Sequence, residues 1–180
     1  MRVSCFKLTI SFLCLLLWMG SCHQKPTGVV TMQTSQQVEE EFDPYIEGNK
    51  RILALEQEEI ELVIKRHHWN MTTTGTGLNY EVLEPGKGCR FVEGDSVSMK
   101  YTIALLSGKV LYDSENDGVK TFRVNKTEEI PALHEIAQLV APGAKVRMVV
   151  PSHLAYGVGG DGQEIKGREA LIMNIEILNH

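Results

Sequence analysis

The chain has 180 residues, 43% apolar and 23% charged, with 16 Gly and 6 Pro, a balance that excludes disordered and collagen-like chains. Its one long apolar run, Leu8 to Trp18, is shorter than the roughly 20 residues a membrane-spanning helix needs, which excludes a polytopic membrane protein. The net charge is −5, and −7 once residues 1 to 21 are set aside (16 basic against 23 acidic), so no nucleic-acid partner is expected.

The first 21 residues read as an export signal. Arg2 and Lys7 flank the start, the apolar run follows, and small Gly20 and Ser21 precede Cys22. Met19-Gly20-Ser21-Cys22 resembles the lipobox of bacterial lipoproteins, in which the cysteine is acylated and becomes the mature N-terminus. That resemblance implies lipidation at Cys22 and a membrane partner reached through a lipid anchor. At roughly 0.8 kcal/mol per buried CH₂, two or three acyl chains would hold the chain on a membrane almost permanently. His23, in place of the Asp that commonly retains such proteins at the inner membrane, favours the outer membrane of a periplasm-facing lipoprotein. A plain signal peptide is the alternative. With Cys5 and Cys14 removed and Cys22 acylated, Cys89 remains alone, buried or simply tolerated, and no internal disulfide is expected.

Residues 22–48 are polar and unpatterned and read as a tether, with a flexible span of about 25 to 30 Å. Residues 49–69 read as a helix: Ile52, Leu53, Ile60, Val63, Ile64 and His67 share one side of a 3.6-residue period. Glu56 and Glu59 fall on that same side, so the clean apolar face begins at Ile60. The helix either lies partly on the following domain or forms a homodimer interface.

Residues 70–180 read as one α+β domain. Leu78, Tyr80 and Val82 alternate, as do Val97, Met99, Tyr101 and Ile103, and again Val146, Met148 and Val150. Leu171, Met173, Ile175 and Ile177 mark the best candidate for a central strand. About five antiparallel strands are interrupted by one helix, opened by Pro131 at its first position, carrying Leu133, Ile136, Ala137 and Val140, and stopped by Pro142-Gly143.

Most reactive constellations fail. His67 and His68 are adjacent and diverge on a helix, with no third ligand at a metal spacing, so neither metal nor cofactor is expected. Gly157-Val-Gly159-Gly160-Asp161-Gly162 fits G-x-G-x-x-G letter by letter but lacks the apolar helix that the dinucleotide fingerprint requires, and reads as a flexible loop. No serine sits in a nucleophile elbow.

Three pieces carry a resemblance. They are Val97-Ser-Met-Lys-Tyr101-Thr102 with Gly108-Lys-Val-Leu-Tyr112-Asp113-Ser114, then Ala155-Tyr156-Gly157, then Ile165 with Ala170-Leu-Ile-Met173-Asn-Ile-Glu176-Ile-Leu. In this order and spacing the segment from Val97 to Leu178 resembles the FK506-binding (FKBP) family of peptidyl-prolyl cis-trans isomerases. The resemblance implies a half-open antiparallel sheet wrapped over one short helix. It also implies a proline pocket lined by Tyr101, Tyr112, Phe122, Val124, Ile130, Leu133, Tyr156, Ile165 and Met173, with Asp113 as its one carboxylate. Departures fall at Leu133 (Trp in many members), Met173 and Tyr112 (Phe), Ile103 (Gly) and Lys166-Gly167 (Pro-Pro). Leu133-His134-Glu135, the preceding helix and the lipobox together resemble a lipoprotein branch associated with gliding-type motility.

The implied clients are proline-containing exported polypeptides. X-Pro rotation breaks amide resonance, and a water-poor cup that favours the twisted amide suffices without nucleophile or metal. A non-catalytic proline-recognition or chaperone module, and a tethered structural subunit, are the alternatives.

Overall fold

The computed structural model describes residues 44–179. The expected signal, Cys22 and nearly all of the expected tether lie outside the described residues. The first element is helix α1, Pro44–His67, which begins five residues before the expected boundary. Residues 44–48 therefore belong to the helix and not to the tether. A proline is compatible with a helix's first turn, where its missing N–H would have no partner, and Gly48 is tolerated at a modest cost.

The helix ends on a non-glycine cap. His68 adopts φ of 56°, its N–H donates to the carbonyl of Lys65, and the N–H of Trp69 reaches back to that of Ile64, both at 3.2 Å. This pair of bonds is the usual terminator built on a left-handed residue.

The rest is one antiparallel sheet: β1 (Thr72–Thr73), β2 (Asn79–Glu84), β3 (Ser96–Leu105), β4 (Val110–Asp113), β5 (Lys120–Arg123), β6 (Lys145–Val150) and β7 (Leu171–Ile177). The order is β1-β2-β6-β7-β3-β4, with β5 also paired to β3. The ten residues of β3 are long enough to pair β5 along Ser96–Met99 and β4 along Thr102–Ala104 on one edge, while β7 occupies the other. Strand β7 is central, as its alternating pattern predicts. The seven strands exceed the five expected because β1, β4 and β5, of two to four residues, are too short to show a period. Two further short turns, too brief to show a period, are α2 (Ser114–Asp117) and a 3₁₀ turn at Ser152–Leu154.

The two-residue period of the strands sorts the core into two layers. Val97, Met99, Ile103, Val146, Met148, Met173 and Ile175 face helix α3 (Pro131–Leu139), which inserts Leu133, Ile136 and Ala137. The intervening residues Ala104, Val149 and Ile172 face the opposite way and meet α1 through Ile60 and Val63. The clean half of the α1 stripe is thus packed on the domain. Burying Ile60 and Val63 contributes about 1.5–3 kcal/mol each. The N-terminal half keeps Ile46, Ile52 and Leu53 exposed. Cys89 is exposed, which excludes the buried reading of it.

Candidate functional site

The two layers leave a cleft of about 400 Å³ on the α3 side of the sheet, lined by Tyr101, Ile103, Tyr112, Asp117, Lys120, Tyr156, Asp161 and Gln163. Strand alternation places Tyr101 and Ile103 on one face of β3. The register sets Tyr112 opposite Ile103, so that ring joins the same face. Tyr156 arrives from the 3₁₀ turn, and Asp161 and Gln163 from the glycine-rich loop that follows it.

Behind the tyrosines the wall is apolar. Phe122, Val124, Ile130, Leu133, Ile165 and Met173 are all at most 7% exposed and form one cluster against which Tyr101, Tyr112 and Tyr156 pack. Three of the residues expected to line a proline pocket, the tyrosines, therefore line the cleft. The six apolar ones sit in the core beneath them.

Asp113 does not join them. Its register partner is Thr102, whose side chain alternates away from Tyr101 and Ile103, so the carboxylate turns to an adjoining concavity lined by Thr102 and Ser114, with Tyr101 bordering both. There it caps α2, accepting from the N–H of Glu115 at 2.8 Å and from the Thr102 hydroxyl at 3.4 Å. Its pleat position is thus one residue out of phase with that of Tyr112, and it reaches the cleft only through its neighbour Tyr101.

The carboxylate that faces the cleft is Asp161. It accepts from the Tyr112 hydroxyl and from the N–H groups of Gln163 (2.8 Å) and Ile165 (2.9 Å). Desolvation pushes its pKa up, but these hydrogen bonds prevail and hold the carboxyl below the usual value. The glycine-rich loop that fits G-x-G-x-x-G only letter by letter thus carries a cleft residue. The signal that could have found it is an Asp bonding N–H groups two and four residues on, the habit of aspartates in tight turns.

Lys120 lies 5.6 Å from the Tyr101 ring centre and pairs with the largely buried Glu129 at 2.9 Å. Burial raises the Tyr156 phenol to about 12, with Glu129 and Asp161 adding to the shift. Tyr101 is raised by desolvation and by nearby Asp117, Glu129 and Asp113. Tyr112 is raised first by its bond to Asp161. The Tyr156 hydroxyl has no hydrogen-bond partner among the described residues, so a donor points into an apolar-backed cleft. Such a site can hold a small aliphatic ring and donate to a carbonyl beside it.

A family model described as FKBP-type peptidyl-prolyl cis-trans isomerase matches residues 88–178. The Outer membrane protein MIP of Legionella longbeachae is 33% identical over 105 residues, 58% of this chain and 44% of that one. The FKBP-type peptidyl-prolyl cis-trans isomerase FkpA of Escherichia coli K12 is 33% identical over 108 residues, 59% of this chain and 39% of that one. The crystal structure of FkpA from Escherichia coli superposes with a TM-score of 0.61 at 29% identity, covering 75% of this chain and 63% of that one. The matched region is thus less than half the length of these two curated relatives.

Proposed function

The chain belongs to the FKBP-type peptidyl-prolyl cis-trans isomerase family, and from that premise we propose that it catalyses cis-trans isomerisation of X-Pro bonds in exported polypeptides. The observation that carries the reading is Tyr156, whose hydroxyl has no hydrogen-bond partner among the described residues, lining a tyrosine-rimmed, apolar-backed cleft. The planar amide is the more polar state, and rotation past it costs about 18–20 kcal/mol. In the cleft, Tyr101, Tyr112 and Ile103 hold the prolyl ring, and the Tyr156 hydroxyl donates to a client carbonyl. Desolvation disfavours the charge-separated planar amide, so the twisted form binds better than either ground state. An acceleration of a thousand- to ten-thousandfold asks for about 4–5.5 kcal/mol of such differential binding. The test is a proline-isomerisation assay on the full chain in detergent, with Tyr156→Phe as the diagnostic variant. No acceleration over the uncatalysed rate would leave the alternative, a proline-recognition or chaperone module, favoured by Leu133 and Met173 being sealed in the core.

The same reading places the protein in the cell envelope, as a periplasm-facing lipoprotein of the outer membrane anchored through Cys22. The lipobox-like motif supports it, and the similarity to an outer membrane protein of Legionella longbeachae agrees with an envelope setting. Cys22→Ser should release the protein from the membrane fraction; equal membrane association of both forms would sink the anchor. Exposed Ile46, Ile52 and Leu53 on α1 support a homodimer through that helix, tested by light scattering with Ile52 and Leu53 changed to Glu.

A further inference from the structure

We propose that Glu56 is a positioning residue for Tyr156, coupling helix α1 to the chemistry of the cleft; this rests on the isomerase reading above. Glu56 is one of the two glutamates that interrupt the apolar stripe of α1, and both its oxygens are engaged by the domain. Oε1 accepts the backbone N–H of Ser152 at 2.5 Å, and Oε2 accepts the Ser152 hydroxyl at 3.0 Å. Ser152 is 5% exposed, so removing the carboxylate takes the partner from a largely buried N–H and hydroxyl.

Ser152 passes the constraint on. Its carbonyl accepts from the N–H of Ala155 at 3.1 Å and of Gly157 at 2.8 Å, the two residues that flank Tyr156. A second strut reaches the same place: the N–H of Arg168 donates to the Gly157 carbonyl at 2.7 Å, and its guanidinium meets Asn49 of α1 at 3.5 Å. Gly157 and Arg168 both have left-handed φ, 62° and 65°, a conformation unfavourable for arginine that the surrounding bonds must hold. The Tyr156 ring is therefore hung from α1 by two hydrogen-bonded connections, although α1 contributes no side chain to the cleft. A small displacement of a positioned donor lowers the rate well out of proportion to its size.

The experiment compares Glu56→Ala, Glu56→Gln and Ser152→Ala in the full chain, with exposed Glu59→Ala on the same helix as control. Glu56→Ala should lower kcat/KM on an X-Pro peptide about three- to tenfold, through kcat, with KM within about twofold. Glu56→Gln, which keeps a carbonyl acceptor at the same reach, should recover most of the loss. Amide exchange at Gly157 should quicken in Glu56→Ala, and the Tyr156 phenol should titrate below its value of about 12. A folded Glu56→Ala with unchanged kcat and unchanged Gly157 exchange overturns the proposal, because a merely structural tie would lower Tm and move neither. If Glu56→Ala does not fold, Ser152→Ala, which removes the hydroxyl bonded to Glu56 Oε2, decides by the same readouts: a lower Tm with unaltered kcat and exchange overturns it. If the wild type shows no isomerase activity, the functional reading fails, and Gly157 exchange still decides whether Glu56 holds the Tyr156 segment.

Discussion

Tyr112 on β4 donates its hydroxyl to the Asp161 carboxylate, joining the sheet edge to the glycine-rich loop across the mouth of the cleft. With the N–H groups of Gln163 and Ile165 on the same carboxylate, one side chain organises the loop and one wall of the site.

Asp161→Ala should therefore destabilise the protein by about 1–2 kcal/mol, since charge-assisted hydrogen bonds are lost at a partly solvated site. Tyr112→Phe, which removes one of the three, should cost less. Because the folded carboxyl has a lowered pKa, its stabilisation is complete above the ordinary carboxylate range and is lost as pH falls through the folded value. Denaturation of the wild type and Asp161→Asn should then converge as pH drops below about 4.

The isomerisation rate should be nearly flat from about pH 6 to 8, because amide twisting needs no proton transfer and the Asp161 carboxyl and the three cleft phenols are moved away from that window. Asp161 is held below the usual carboxylate value, and Tyr101, Tyr112 and Tyr156 are all raised above that of a free phenol. At the alkaline end the sign reverses. A raised phenol stabilises the fold below pH about 10, and that contribution is lost as pH climbs through the folded value of about 12 for Tyr156. A bell-shaped or sigmoid rate profile near neutrality would point to proton transfer and overturn the twisting mechanism.

What the sequence made legible follows from periodicity. Val97 to Ile103 alternate strictly, and Leu171, Met173, Ile175 and Ile177 share one face of β7, so these strands and that face could be read directly, and Ile60 marked where α1 turns apolar. Period could not say which side of β4 a short four-residue strand shows, because one residue of register moves Tyr112 and Asp113 to opposite faces. The site on the loop was hidden for another reason. Asp161 owes its place to hydrogen bonds from Tyr112, 49 residues away, and from local N–H groups, neither of which leaves a repeating pattern. The role of Glu56 was likewise visible only as a defect in a stripe.

Asp113 gives a clear separation of the two assignments. As the cap of α2 it should tolerate Asp113→Asn, which keeps an oxygen acceptor for the Glu115 N–H, with less than about a threefold change in rate. Asp113→Ala should cost about 1 kcal/mol of stability and little activity. A loss of ten- to a hundredfold in a folded Asp113→Asn, or about 1.4–2.8 kcal/mol, would restore it as a pocket carboxylate.

Helix α1 is packed on the sheet, so Ile60→Ala should be costly. Ile60 is fully buried against Val149 and Ile172, and such truncations typically lose about 2–5 kcal/mol. Leu62→Ala on the exposed side of the same helix should be nearly neutral in the same denaturation experiment.

Leu133→Trp tests whether the apolar wall is floor or core. The family resemblance leads one to expect that an aromatic floor tightens binding of proline-mimicking ligands. In the structure Leu133 is 1% exposed, in the first turn of α3, among side chains that already fill the space. An indole there must displace its neighbours and find a partner for its N–H, a combination that costs about 1–3 kcal/mol. The expected outcome is a lower Tm, a blue-shifted emission from the added tryptophan and no gain in ligand affinity. Tighter binding together with ligand-quenched emission would show instead that the ring reaches the cleft, making Leu133 the floor beneath Tyr101 and Tyr156 and not a purely internal residue.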